Sequence, residues 1–253
     1  MMAILTITWR NYIMQFIKTF ISLLVVFFMP FVADARTYLV SVGISDYPGT
    51  KMDLHLPAND ASTIKYIYSK NLVTECVLLT NANATKKRIC MKLQATFSKA
   101  SYDDTVVFFF SGHGKPGSFC AYDSQLSYSE IRQIMAHCKA RNKIIFADAC
   151  FSGKMRHGQA TKHEQEFNDY NVLLFLSSRN NETSIECTDM KNGFFTSCLQ
   201  NGLRGRADAN RDRIITAKEL FDYVSKGVKR LSGDKQHPVM WGRFSDEMVV
   251  MKW

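Results

Sequence analysis

From Thr105 to Phe110 the chain reads Thr-Val-Val-Phe-Phe-Phe, β-branched or aromatic at every position. Side chains on a strand alternate between two faces, so this run leaves neither face for solvent. It belongs inside a sheet covered on both sides. Lys143-Ile144-Ile145-Phe146-Ala147 and Val172 to Leu176 read the same way, and Thr37 to Val42 makes an opening strand closed by Gly43. Cys76 to Leu79 is a shorter strand, and Glu247 to Met251 is expected to close the sheet as an edge strand. Helical signals fall between them. Asn59-Asp60-Ala61 is expected to cap a helix with Ile64, Ile67 and Tyr68 on one face, and Thr85 to start one with Ile89, Leu93 and Phe97 four residues apart. Ser127 to Glu130 and Thr216 to Glu219 are capping boxes, the second opening a helix that reaches about Leu231. Such alternation predicts an α/β fold, a three-layer sandwich whose mostly parallel central sheet carries helices on both faces.

Two of these strands end in chemistry. The first runs into Ser111-Gly112-His113-Gly114, and the second into Asp148-Ala149-Cys150-Phe151-Ser152-Gly153. One helix separates them, so the simplest topology makes them parallel neighbours, about 4.8 Å apart. His113 and Cys150 then share the carboxyl rim of the sheet, where open α/β folds place their sites. A thiolate is a nucleophile and an imidazole takes its proton, a sensible catalytic pair. The N–H groups of Gly114 and Cys150 are candidates for an oxyanion hole. His55, His137, His157, His163 and His237 have no such setting, and no Cys/His spacing matches a zinc template. No organic cofactor is implied.

Composition narrows the partners. The 253 residues carry 32 Lys and Arg against 23 Asp and Glu, a net +9. The basic residues are scattered, with Lys86-Lys87-Arg88 the longest run and no nucleic-acid motif beside it, so nucleic-acid binding is not expected. Seven cysteines leave at least one thiol unpaired within the chain. Phe20 to Val32 is apolar except for Ser22 and Pro30, short for a membrane span of about 20 residues but suited to a secretory signal. Lys18 precedes it and Ala33-Asp34-Ala35 offers a cleavage site, with Met14 as a second candidate start. Residues 1–35 are therefore read as a signal peptide and 36–253 as the mature domain, secreted or periplasmic, with no stable membrane insertion after cleavage. The sequence leaves monomer against dimer open.

The two strand-end motifs resemble those of the caspase and metacaspase superfamily of cysteine peptidases, closer to the metacaspase and bacterial caspase-like form. The similarity extends through the opening strand, Asn59-Asp60-Ala61 and the segment from Ser177-Ser178 to Glu186, over about residues 37 to 250. It implies a caspase-like sandwich and a cysteine endopeptidase acting on peptide or protein substrates through His113 and Cys150. A non-catalytic adaptor on the same fold, or a clostripain-like Arg-specific peptidase, are the alternatives.

Asp60 and Asp148 match acidic positions that line the first specificity pocket in metacaspases, which implies a preference for Arg or Lys through charge-assisted hydrogen bonds. Ser177 and Ser178 are expected to complete the pocket wall. The polar stretch Ser152 to Tyr170 holds Lys154, Arg156 and Lys162, at which such an enzyme could cut itself. Asp208 to Glu219 follows a 12-residue calcium loop, with Asp208, Asn210, Asp212 and Glu219 as candidate ligands. Arg213 occupies the position where that loop wants glycine. Calcium is thus a candidate ligand, but not a required one.

Overall fold

The computed structural model describes residues 14–15, 35–70, 74–115, 117–149, 172–178 and 191–252. Ala35–Trp253 forms one compact unit. Among the described residues no helix is long and apolar enough to cross a membrane; the run Phe20 to Val32 lies outside them.

A six-stranded sheet organises this unit. It comprises β1 (Thr37–Gly43), β2 (Thr74–Thr80), β3 (Thr105–Gly112), β7 (Asn142–Ala149), β8 (Val172–Leu176) and β10 (Val239–Trp241), in the order β10-β8-β7-β3-β1-β2. All neighbours are parallel except β10, which runs antiparallel to β8. The Thr105–Phe110 run sits where its composition requires, between β1 and β7. Val106, Phe108 and Phe110 enter one core and Val107 and Phe109 the other, all 0% exposed.

Each core has its own helices. α2 (Lys86–Phe97) and α3 (Tyr128–His137) cover the face of Phe108 and Phe110. α1 (Pro57–Tyr68), α4 (Phe194–Asn201) and α5 (Ala217–Leu231) cover the face of Phe109. Both capping boxes form, Ser127 with Glu130 and Thr216 with Glu219, and Thr85 caps α2. α1 departs from expectation: it starts at Pro57 rather than at Asn59-Asp60, because proline suits the first helical position and its missing N–H goes unneeded there. Asp60 is thereby freed from capping.

Two further differences concern short strands. A small antiparallel sheet, β4 (Gly114–Lys115), β5 (Ser118–Cys120) and β6 (Gln125–Ser127), grows from the end of β3. Phe119 of β5 stacks on Phe110 with centroids 4.4 Å apart, which fastens this sheet to the core. The C-terminal strand is β11 (Val249–Lys252), and it does not close the central sheet. It pairs antiparallel with β9 (Ile214–Thr216) beneath α5, while β10 takes the edge.

Candidate active site

The register brings the two motifs together. β3 and β7 are parallel neighbours, with Ser111 opposite Asp148 and Gly112 opposite Ala149. His113 follows one strand and Cys150 the other. Cys150 lies outside the described residues, as do Lys154, Arg156, Lys162 and Glu186; the strand that delivers the thiol is described up to Ala149.

The imidazole is held by the loop after β1. Nε2 of His113 is 2.8 Å from the main-chain oxygen of Met52. A carbonyl only accepts, so Nε2 is the donor in this bond, and in the neutral ring the lone pair then lies on Nδ1. That is the tautomer a general base needs. The loop has its own anchors: Asn81 Oδ1 accepts the N–H groups of Ser45 and Asp46, and Leu54 N–H donates to the Ser45 carbonyl at 2.8 Å. Gly112 has φ +152, and an added Cβ would stand 2.8 Å from the Tyr47 hydroxyl, so no larger residue fits before His113.

Asp60 and Asp148 converge on the face of Phe109. Asp60 is 2% exposed and Asp148 7%. Asp60 accepts from Ser111 Oγ at 2.9 Å, Asn192 Nδ2 at 2.8 Å and the Gly193 N–H at 3.2 Å. Asp148 Oδ2 accepts the Thr196 N–H at 3.2 Å and its hydroxyl at 2.9 Å. Both carboxylates therefore face the N-terminus of α4, where free N–H groups and the helix dipole favour negative charge. Gly193 stands between them: an added Cβ would lie 2.8 Å from Asp148 Oδ2 and 3.6 Å from Asp60 Oδ2. Burial, and then the Asp148 charge, push the Asp60 carboxyl up; the three donors pull it down but do not win.

A family model described as a caspase domain matches residues 36–249. The chain belongs to the caspase-domain family. No curated protein matches it. Among solved structures, caspase-1 from Spodoptera frugiperda superposes on this caspase-domain chain with a TM-score of 0.64 at 18% identity, covering 86% of this chain and 90% of that one. Protein GSU0716 from Geobacter sulfurreducens superposes with a TM-score of 0.60 at 14% identity, covering 83% and 94%. At these identities the likeness is one of fold, and it fits the mostly parallel sandwich described above.

Other residues of this caspase domain hold places the sequence did not assign. Ser177 and Ser178, like Asp60 and Asp148, are buried. Ser177 braces the strand end: its Oγ accepts the Ala149 N–H at 3.3 Å and lies 3.4 Å from the Ala149 carbonyl. Gln236, equally buried, donates from Nε2 to the Ser177 carbonyl at 2.8 Å. Gly114 pairs with Phe119, and the Cys120 N–H donates to the His113 carbonyl at 2.9 Å. That makes Gly114 and Phe119 a non-hydrogen-bonded pair, so the Gly114 N–H points away from β5 and stays outside the ladder.

The Asp208–Glu219 loop is stabilised from within. Asp208 accepts the N–H groups of Asp212 and Arg213, Asn210 Oδ1 that of Asp212, and Asp212 Oδ1 that of Ile214. Glu219 Oε1 accepts from Ala209, and Oε2 closes the capping box on Thr216. Arg213 adopts φ 68, the left-handed conformation for which glycine was expected. Among the described residues no group of three or more His, Cys, Asp or Glu side chains is arranged to hold a metal ion.

The sequence missed Met52, Asn192, Gly193 and Thr196. A main-chain carbonyl has no residue signature. The other three act through helix α4, more than 130 residues from Asp60 in the chain but packed beside α1 in the fold.

Proposed function

We propose that this caspase-domain protein is an exported cysteine endopeptidase that cleaves after Arg or Lys. The observation that carries the reading is the 2.8 Å contact between His113 Nε2 and the Met52 carbonyl. Nε2–H is tied to the Met52 carbonyl, leaving Nδ1 as base at the end of the strand beside the one that leads to Cys150. His113 takes the Cys150 proton, the thiolate attacks the scissile carbonyl, and the resulting oxyanion is held by the N–H groups of Gly114 and Cys150. The imidazolium then gives its proton to the leaving amine, and water hydrolyses the thioester with His113 again as base. No metal or organic cofactor enters these steps.

The basic preference is supported by the buried acidic pair. A buried acidic pair at a helix N-terminus complements a guanidinium or ammonium group, whose charge favours the ionised form of Asp60, whereas an Asp side chain entering the same place would meet the like charge of Asp148. Export is supported by the apolar segment Phe20 to Val32 and the small residues after it.

Hydrolysis of fluorogenic peptides ending in Arg or in Asp, by wild type and Cys150→Ala, tests the reading. Release from the Arg peptide that vanishes in the variant supports it. Equal release in the variant, or release from the Asp peptide alone, refutes it. N-terminal sequencing of the secreted chain checks cleavage after Ala35.

A further inference from the structure

We propose that Tyr47 is a positioning residue for the imidazole of His113, acting through its hydroxyl as well as its ring. The inference rests on the catalytic reading of His113. Tyr47 is 6% exposed and its ring packs against the imidazole, with centroids 5.1 Å apart and planes inclined by 45°. Packing alone would suit any aromatic residue. The hydroxyl does more: it accepts the His113 N–H at 3.0 Å and donates to the Cys120 carbonyl at 3.1 Å. These groups lie on the two strands of the turn that carries His113, so one oxygen ties the imidazole's main chain to β5.

The surroundings are shaped to admit that oxygen. Gly112 leaves open the space that a Cβ would take from it, at 2.8 Å. Asp53 Oδ1 accepts the Tyr47 N–H at 3.1 Å, and Asp53 directly follows Met52, whose carbonyl holds Nε2. Tyr47 and Met52 thus lie on one short loop, the first fixing the position of the histidine backbone and the second the rotation of its ring. Burial keeps the phenol protonated, so it remains a donor throughout the working pH range.

Tyr47→Phe keeps the ring and removes both bonds. The expected result is a kcat lowered on the order of tenfold or more with KM little changed, because misplacing a catalytic group costs rate rather than ground-state binding. The second readout needs no turnover. In a Cys150→Ala background, the ¹⁵N shifts of the His113 ring are expected to report the single Nε2–H tautomer, and adding Tyr47→Phe is expected to mix the tautomers. Unchanged ring shifts, or a folded Tyr47→Phe enzyme with wild-type kcat, overturn the proposal. If wild type hydrolyses no peptide, the peptidase reading fails and the ring shifts alone decide the role of Tyr47. If Tyr47→Phe does not fold, Asp53→Ala on the exposed loop takes its place under the same two readouts, with a smaller loss expected.

Discussion

Gly112 and Ala149 are register partners across the parallel β3–β7 ladder, one residue before His113 and one before Cys150. A one-residue slip would turn every side chain to the opposite face and separate the motifs. Ser111 and Asp148 help to hold that register, since both faces of these strands are otherwise apolar and a slip would drive the two polar side chains into the opposite layer. Placement of the two motifs and core packing are therefore one problem in this fold.

His113→Ala is expected to lower kcat by about 10²–10⁴-fold while the protein stays folded, since it removes the proposed general base from a partly exposed position. Steady-state kinetics with an Arg peptide, beside a thermal melt, checks both parts. A variant within a few-fold of wild type would assign the base elsewhere.

Asp60 makes stability depend on pH. Its carboxyl is raised to about 8 by burial and then by the Asp148 charge. The folded chain thus keeps a proton that the unfolded chain releases near its ordinary pKa of about 4, and stability falls as pH rises from there through the folded value, levelling off above it. Thermal melts of wild type and Asp60→Asn over this range are expected to show a flatter profile in the variant. If the pair forms the proposed Arg pocket, kcat/KM for an Arg peptide is expected to rise as pH passes through the folded value of about 8. Parallel melting profiles would contradict the raised carboxyl.

Gly193→Ala places a methyl group 2.8 Å from Asp148 Oδ2. Overpacking of this kind costs about 1–3 kcal/mol, to be read from the shift in denaturant midpoint. Its effect on hydrolysis is expected mainly in KM for Arg peptides, because the displaced carboxylate belongs to the proposed pocket. A variant as stable as wild type would show that the helix start yields freely.

Asp208→Ala removes the acceptor for two N–H groups of its loop. The melting temperature is expected to fall equally with and without millimolar calcium, because the loop is held by its own donors. A calcium-dependent rise in wild type that disappears in the variant would instead place the cation here.

Much of this architecture is legible in the chain itself. Phe108-Phe109-Phe110 has one environment open to it, and Ser127–Glu130 and Thr216–Glu219 start their helices on local chemistry that tertiary contacts do not override. The adjacency of the two motif strands follows from connection length. Short strands are another matter: three residues such as Val239–Trp241 carry no period, and nothing within Glu247–Met251 says whether β8 or β9 will be its partner. Asp60 reads locally as a cap and acquires its setting only when Ser111, Asn192 and Gly193 arrive from distant segments. The hold of Met52 on His113 is invisible for a simpler reason, since every residue has a carbonyl.

The most direct test is labelling with a peptidyl-Arg chloromethyl ketone, followed by peptide mass mapping. Wild type is expected to gain one adduct on Cys150, and His113→Ala is expected to lose it while keeping its melting temperature. Labelling spread over Cys76, Cys90 or other thiols, or an adduct on Cys150 that forms as fast without His113, would contradict the catalytic pair.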